Sequence, residues 1–295
     1  RVFELLACGT AVVSTESVGV EQTLGDEVSM VETQAQATEA LTKLQDDGYW
    51  RELTQQGWRK VVGEHTYRHR LAEVANTLGF NVSAYPGEGV AALALVDDVE
   101  QARKFRAVVS SIANQETRPA ELLIGSHTSV AGDLQELSAN GSEIRVRVVQ
   151  QDPKATRSER YRELASMAES PWLAVLHPAH AYGEHHLTDL VLTTRFTDAD
   201  VIGNASFETT GEFSAIDRSL EHRFVESVHP HSVLVKRELI EGRGWPDDVS
   251  GALLSDWFRQ GVRIYSGDAG NFRADAALGL PGRAVAVGSE QRPEG

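Results

Sequence analysis

Four histidines stand in two closely spaced pairs along the chain. His177 and His180 lie in the stretch HPAH, and His229 and His231 lie in HPHS. A neutral imidazole binds Mn²⁺, Zn²⁺ or Co²⁺ but is a poor ligand for Mg²⁺, which prefers oxygen. Imidazole N–H groups can also donate to phosphate oxygens without a metal. The pairs therefore allow three interpretations: a divalent cation site, a metal-free anion site, or histidines that are merely solvated in turns.

Three carboxylates and one arginine occupy further positions that suit chemistry. Asp97 and Asp98 follow an apolar run and could hydrogen-bond a nucleotide base or ribose; equally, they could cap the next helix. Arg160 could reach a diphosphate, although a helical arginine near glutamates is commonly a solvent-facing ion pair. Asp256 could be a general base that accepts a proton from a hydroxyl, or a carboxylate favoured by a helix dipole.

The elements that must position these residues alternate between strands and helices from residue 90 onward. In order they read VAALALV, a helix with an apolar face, ELLIG, EIRVRVV, the helix RSERYRELASMAE, PWLAVL, the helix HHLTDLVLTTRF and ADVIG. This alternation predicts an α/β fold with a mostly parallel sheet and helices on both faces. Ligands of such sheets bind outside the carboxyl ends of the strands. The loops at Asp97, Gly125 and His177 all follow strands, so we expect a ligand site there.

The first part of the chain has a different pattern. Residues 1–80 read as mainly helical with the short strands AVVST and EVSMVE, and apolar residues spaced by three and four predict helices with one buried face. The following NVSAYPGEG is rich in Gly, Pro and small polar residues, which is typical of a linker. We therefore predict one unit at 1–80, a linker at 81–89, a second unit at 90–282 and a flexible tail at 283–295.

Composition excludes several classes of partner. The 28 Lys+Arg against 43 Asp+Glu give a net charge of −15, which disfavours nucleic acid and anionic membranes. No apolar run is long enough to span a bilayer, and no signal segment opens the chain. Cys8 is alone and cannot form an internal disulfide, so we expect a cytoplasmic protein. Because Arg1 falls inside a predicted helix, we also expect a fragment of a longer chain.

The stretch RVFELLACGTAVVST, followed by GVEQTLGDEV, resembles the end of the donor domain of group 1 glycosyltransferases of GT-B fold, in particular the CgeB-like type. The resemblance covers roughly residues 1–75. It implies that Glu4 accepts hydrogen bonds from the nucleotide ribose, because two carboxylate oxygens can take a vicinal diol. The alternative is a helix-strand remnant kept only for packing.

Residues 88–280 resemble family-2 glycosyltransferases of GT-A fold. The stretches that carry the resemblance are VAALALVDDVEQARKFRAVVSSIANQETRPAELLIGS, ERYRELASMAESPWLAVLHPAHAYGEHHLTDL, HPHSVLVKRELIEGRGWPDD and SGALLSDWFRQGVRIYSGDAGNF. Three departures stand out. Gly125-Ser126-His127 replaces an acidic pair, HPAH replaces the acidic metal motif, and only Asp256 remains of an acidic dyad.

The resemblance implies a role for each candidate residue. Asp256 would be catalytic, and a bound Mn²⁺ or Mg²⁺ would use the histidines of the two pairs. The implied contacts to a nucleotide-diphosphate sugar are Glu4, Asp97, Asp98, Ser126 and Arg160, and the implied metal ligands are His177, His180, His229 and His231.

The implied activity is transfer of a sugar from a nucleotide-diphosphate sugar to a glycan hydroxyl, in bacterial cell-surface polysaccharide biosynthesis. The alternative is a catalytically degenerate GT-A-like module that binds a glycan or a partner glycosyltransferase. Whether the chain forms an oligomer is left open.

Overall fold

The computed structural model describes residues 1–127, 134, 144–210, 216–245 and 252–275, excluding the side chains of 252 and 253. The chain divides into two compact units, Arg1–Pro86 and Gly87–Gly295. This division falls inside the stretch that the sequence predicts as a linker. The predicted tail at 283–295 lies outside the described residues. No helix in the described ranges is both long and apolar enough to cross a membrane.

The first unit is mainly helical. Its elements are α1 (Val2–Ala7), β1 (Val13–Thr15), α2 (Val18–Leu24), β2 (Ser29–Val31), α3 (Gln34–Lys43), α4 (Asp47–Glu64) and α5 (Tyr67–Thr77). The two strands pair in parallel. Asp46 caps the start of α4, where its side chain accepts the Tyr49 N–H at 2.8 Å. A small apolar core that includes Leu6, Leu24 and Val61 holds this unit together.

The second unit alternates strands and helices, as the sequence predicts. Its described elements are β3 (Val90–Leu95), α6 (Val99–Ala113), β4 (Glu121–Ser126), β5 (Arg145–Gln150), α7 (Arg157–Met167), β6 (Trp172–Leu176), β7 (Ala181–Tyr182), α8 (His186–Thr194), β8 (Val201–Gly203), β9 (Glu208–Thr209), β10 (Arg223–Phe224), β11 (Val233–Lys236), α9 (Arg237–Arg243), α10 (Ala252–Arg259), β12 (Ile264–Ser266) and β13 (Phe272–Ala274).

Eight of the described strands form one sheet in the order β10-β12-β8-β11-β6-β3-β4-β5. Strands β3, β4, β5 and β6 run parallel, and β8 and β12 share their direction, whereas β11 and β10 run antiparallel to their neighbours. The predicted mixed α/β fold with a mostly parallel sheet is therefore confirmed. A small second sheet joins β7, β13 and β9.

Strand β3 is covered by helices on both faces of the sheet. Its side chains alternate, so Ala92 and Ala94 pack with α6 and α8 on one face, while Ala91 and Leu93 pack with α7, α9 and α10 on the other. All four side chains are fully buried. A strand buried on both faces reads as a continuous apolar run, which is the pattern VAALAL.

Gly125, near the carboxyl end of β4, is packed too closely to accept a side chain. A Cβ atom there would overlap Gln151 Oε1 and would lie 2.8 Å from Leu95 Cδ2. We expect Gly125→Ala to lower the free energy of unfolding of the second unit by about 1–3 kcal/mol, because the buried Gln151 side chain must leave the position in which it bonds Arg160 and Glu163. Urea denaturation would measure this.

Gly242 in α9 is the matched control, because a Cβ atom there would meet nothing within 4 Å. Gly242→Ala is expected to be neutral or stabilising by up to about 1 kcal/mol, since alanine favours a helix. Equal stability of the two variants would contradict the close packing at Gly125.

Candidate functional site

The carboxyl ends of the parallel strands bring the predicted site residues to one edge of the sheet. Leu95 of β3 pairs with Gly125 of β4, and Ala94 pairs with Leu176 of β6. The residues that follow these strand ends therefore share one edge. β11 runs in the opposite direction, so the HPHS segment that precedes it reaches the same edge. The sheet thus collects the loops after β3, β4 and β6 with the segment before β11, as a ligand site in this fold class requires.

Arg160 and Asp97 form a bidentate ion pair at this edge. The guanidinium donates to the two carboxylate oxygens at 2.6 and 2.8 Å, and its Nε donates to Gln151 Oε1 at 2.8 Å. Arg160 is buried, whereas Asp97 keeps about a third of its side chain exposed (34%). His127 Nε2 lies 3.6 Å from the same carboxylate. The interpretation of Arg160 as a solvent-facing arginine paired with neighbouring glutamates is therefore wrong, because its partners come from the tips of β3 and β5.

Two other predicted nucleotide contacts have local structural partners. The Asp98 side chain caps α6 by accepting the Gln101 N–H at 2.8 Å. Ser126 is fully buried, and its hydroxyl donates to the carbonyl of His127 at 3.1 Å. Glu4 lies in α1 of the first unit, where it is exposed. Roles for these three side chains toward a nucleotide remain predictions.

The four histidines of the two pairs form one cluster. The rings of His177 and His231 stack with centroids 4.6 Å apart, and His180 lies 4.9 Å from His229. The phenol of Tyr182 joins the segments, because it accepts the His177 N–H at 2.8 Å and donates to the His231 carbonyl at 2.9 Å. His180, His229 and His231 are buried and His177 is partly buried. The interpretation of these histidines as solvated turn residues is therefore wrong.

Main-chain donors determine where each imidazole carries its proton. A backbone N–H can only donate, so an imidazole nitrogen that receives one must be unprotonated. Nδ1 accepts such a bond in three rings: from Ala179 in His177, from Asp275 in His180 and from His231 in His229, at 3.2, 3.0 and 3.2 Å. The neutral form of each of these rings therefore carries its proton on Nε2.

The position of the proton on His231 follows from that on His180. His180 Nε2 lies 3.2 Å from His231 Nδ1, so the proton on His180 Nε2 is donated to His231. His231 then also carries its proton on Nε2, which is buried and has no hydrogen-bond partner among the described residues. A chain of hydrogen bonds thus runs from the Asp275 main chain through His180 to His231.

The cluster is neutral near pH 7. Burial lowers the pKa of His177 to about 4, with the nearby charge of Arg157 contributing, and lowers the pKa of His180 to about 3. Burial is also the main reason why the pKa values of His229 and His231 lie well below their usual range. The histidines therefore contribute N–H dipoles rather than positive charge.

The cluster does not fit a resident Mg²⁺ or Mn²⁺ as it stands. Ligand nitrogens of His177, His180 and His231 lie within 4.8 Å of one another, and His229 is outside that group. However, each of these rings has its Nε2 protonated and its Nδ1 already used as an acceptor, which leaves no lone pair for a metal. The group also lacks a carboxylate, which is the donor that Mg²⁺ prefers. The metal-ligand role predicted for the four histidines is therefore not supported by their hydrogen bonds.

A second group of possible ligands was not anticipated from the sequence. Glu221, His222 and Asp268 each offer one ligand atom, and these atoms lie within 4.8 Å of one another. Arg223 of β10 pairs with Ser266 of β12, which places this group at the carboxyl end of β12. Its two carboxylates make it chemically closer to a cation site than the histidines are. His222 and Asp268 lie about 46 residues apart in the sequence, so the sequence pattern did not show that they meet.

Arg157 was also missed by the sequence reasoning. It is the first residue of α7, and its charge acts on both His177 and His231 by lowering their pKa values. The available signal was its place at the start of a helix that follows a strand. Asp256, in contrast, lies in α10 with its side chain mostly exposed (60%) and paired with Arg259 at 2.6 Å.

Comparison with known proteins gives a family match for the first unit. Residues 1–76 match the family model described as "Glycosyl transferase-like". None of the curated proteins matches the chain. TarS 1–349 from S. aureus in complex with UDP-GlcNAc has 12% identity and a TM-score of 0.47, with 63% of this chain and 58% of that chain covered.

A second solved structure is similar to a comparable degree. The mannosyltransferase PcManGT from Pyrobaculum calidifontis, in complex with GDP-Man and Mn²⁺, has 12% identity and a TM-score of 0.49, with 66% of this chain and 58% of that chain covered. The match thus spans less than two thirds of either relative. The family match confirms that residues 1–75 resemble a glycosyltransferase, while their GT-B type stays a prediction, and we conclude that this chain resembles glycosyltransferases.

Proposed function

We propose that the chain is part of a glycosyltransferase that uses a nucleotide-diphosphate sugar as donor and a glycan hydroxyl as acceptor. In this proposal residues 1–80 are the carboxyl-terminal part of a GT-B-type donor domain, 81–89 are a linker, 90–282 form a GT-A-like domain and 283–295 are a tail. The family match at residues 1–76 and the parallel sheet of the second unit support it. A role in polysaccharide biosynthesis belongs to the same proposal.

One observation carries the assignment of a donor site to the second unit. The imidazole cluster and the Asp97–Arg160 pair occupy the carboxyl edge of a single sheet. A diphosphate needs N–H donors, and a nucleotide base or ribose needs acceptors, so this edge offers both kinds of partner. We place the diphosphate near His177 and the nucleoside near Asp97, whose carboxylate is held by Arg160 and remains partly exposed.

Calorimetry tests the donor site directly. Titration with UDP, GDP, UDP-GlcNAc and GDP-Man is expected to give saturable heat with at least one of them, and the sugar nucleotides are chosen because similar structures hold them. Asp97→Asn should weaken this binding, while Asp198→Asn, an exposed carboxylate paired with Arg263, should leave it unchanged. Silence with every nucleotide would reject the proposal.

The chemical step assigned to Asp256 gives a further prediction. As general base, its carboxylate would take the proton of the acceptor hydroxyl while that oxygen attacks the anomeric carbon and the nucleotide diphosphate leaves. Asp256→Asn should then lower kcat for nucleotide release by about 10²- to 10⁴-fold without changing nucleotide affinity. Its thermal stability should remain that of the parent, because the side chain is mostly exposed.

A second candidate function has its own support. The imidazole cluster contains no carboxylate, and Asp256 is already paired with Arg259 on the exposed face of α10. These two features favour a catalytically degenerate module that binds a glycan or a partner glycosyltransferase. Full turnover in Asp256→Asn would show that Asp256 is not the general base. Nucleotide binding without any turnover in the unsubstituted protein would favour the non-catalytic binding module.

A further inference from the structure

One imidazole of the cluster is only partly buried. His177 follows β6 directly and is partly buried, whereas its stacking partner His231 is buried. The Ala179 N–H occupies His177 Nδ1, so His177 presents Nε2–H as a hydrogen-bond donor. This donor is kept in place by the ring stack and by the bond from the His177 main chain to Tyr182.

The helix that starts near this edge also carries a cation. Arg157 lies about one turn before Arg160, which pairs with Asp97 at the tip of β3, and the charge of Arg157 lowers the pKa values of His177, His231 and the phenol of Tyr161. It is also the first residue of α7, an eleven-residue helix, where unpaired backbone N–H groups and the helix dipole favour an anion. The nearby Glu159 carboxylate is occupied, because it accepts the Thr156 N–H at 2.8 Å in the capping box.

A second imidazole donor of the cluster also favours an acceptor ligand. His231 Nε2–H is a donor with no partner among the described residues, although the side chain is only 5% exposed. An unsatisfied buried donor costs free energy unless a ligand or water accepts from it. The negative charge of Asp275 raises the pKa values of His177 and His180, against the effect of burial.

We propose that this edge binds a diphosphate without a metal ion, through the Nε2–H of His177, the guanidinium of Arg157 and the start of α7. The inference rests on the proposed function for the identity of the ligand, a nucleoside diphosphate. The hydrogen-bond chain from Asp275 through His180 to His231 keeps the imidazoles in the donor form, and so takes the place of a bridging cation. Arg157 is then a binding residue for the leaving diphosphate, where charge develops during transfer.

Inorganic pyrophosphate is the first probe, because it contains the diphosphate and no nucleoside. We expect pyrophosphate and UDP to bind equally well in EDTA and in Mn²⁺. Arg157→Gln should weaken both by about 10- to 100-fold, the effect of losing a charge-assisted hydrogen bond. Arg103→Gln, which removes an exposed arginine of α6, is the matched control and should leave both affinities unchanged.

Substitutions of His177 separate a hydrogen-bond donor from a metal ligand. His177→Gln keeps an N–H near the position of Nε2 but binds metals poorly, so it should retain most of the pyrophosphate affinity, while His177→Leu should lose it. Two-bond ¹H–¹⁵N spectra of the ligand-free protein should show neutral His177, His180, His229 and His231 protonated on Nε2. These signals should stay sharp when Mn²⁺ alone is added.

Failure of this inference is distinguishable from failure of the proposed function. UDP binding that requires Mn²⁺ would overturn the metal-free site and leave the glycosyltransferase proposal standing. Metal-free pyrophosphate binding that neither UDP-GlcNAc nor GDP-Man displaces would support the anion site and count against the donor. Absence of pyrophosphate binding in both EDTA and Mn²⁺ would overturn the inference.

Discussion

Arg160→Ala is expected to lower the free energy of unfolding of the second unit by about 3 kcal/mol. Removal of one partner from a buried ion pair typically costs about 3–5 kcal/mol, and the partial exposure of Asp97 (34%) reduces that cost. The same substitution removes the donor to Gln151 Oε1, which adds an unsatisfied buried acceptor. The loss should be measurable as a lower urea midpoint with an unchanged m-value.

Two variants sharpen this prediction. Arg162→Ala lies on the same helix, is exposed, and should change stability by no more than about 0.5 kcal/mol. Arg160→Lys keeps the charge but not the planar fork that donates to Asp97 and Gln151 together, so it should recover only part of the loss. Wild-type stability in Arg160→Ala would show that the pair does not hold the tips of β3 and β5.

The second large effect is a steep loss of stability in mild acid. Burial lowers the pKa of His186 to about 3, and the pKa values of His177, His180, His229 and His231 are also lowered. Unfolded histidines titrate near pH 6.5. Between pH 6.5 and about 4 the unfolded state therefore binds more protons than the folded state, so the free energy of unfolding falls as the pH falls.

The expected loss of stability is comparable with the total free energy of unfolding of a typical domain. Each histidine that stays neutral in the folded state contributes a loss of about 1 kcal/mol between pH 7 and 5.5, so these five together lose on the order of 5 kcal/mol. Domains are typically stable by about 5–15 kcal/mol. The charge of Arg157 strengthens the effect and that of Asp275 weakens it. We expect the second unit to unfold cooperatively well above pH 4.

Peptide-resolved hydrogen exchange in urea, with peptides from β3 and β6, would measure this dependence in the second unit alone. His186→Leu removes one buried titrating ring from α8 and should reduce the pH slope by about one proton. Leu187→Met, a neighbouring buried substitution without a titrating group, should shift the curve and leave its slope unchanged. A flat stability between pH 7 and 5 would show that these rings titrate normally.

Much of the fold could be predicted from local sequence. The run VAALAL predicts a strand buried on both faces, and β3 is one. The alternation of strands and helices predicts the mostly parallel sheet and therefore the edge where loops after β3, β4 and β6 collect. Boundaries were less accurate: ADVIG predicts a strand from Ala199, but β8 begins at Val201, although the Asp200 main chain still bonds to Arg263 and Lys236.

The chemistry of the candidate site could not be predicted in the same way. The spacing in HPAH and HPHS indicates that imidazoles cluster, but the same residues fit a metal site, an anion site or solvated turns. The protonation of His180 depends on a main-chain N–H that is 95 residues away in sequence, at Asp275. Arg160 meets Asp97 across 63 residues. Periodicity and composition carry no information about such contacts.

By itself, then, the sequence determined the α/β class, the first-unit resemblance and the approximate edge at which the histidines gather. Only the tertiary structure decided that these histidines are buried or partly buried, neutral and protonated on Nε2, and that the charge of Arg157 lowers the pKa values of two of them. The physical reason is that strand and helix patterns follow from side chains a few residues apart. Burial, tautomer and charge pairing are instead set by groups that meet only when the sheet has assembled.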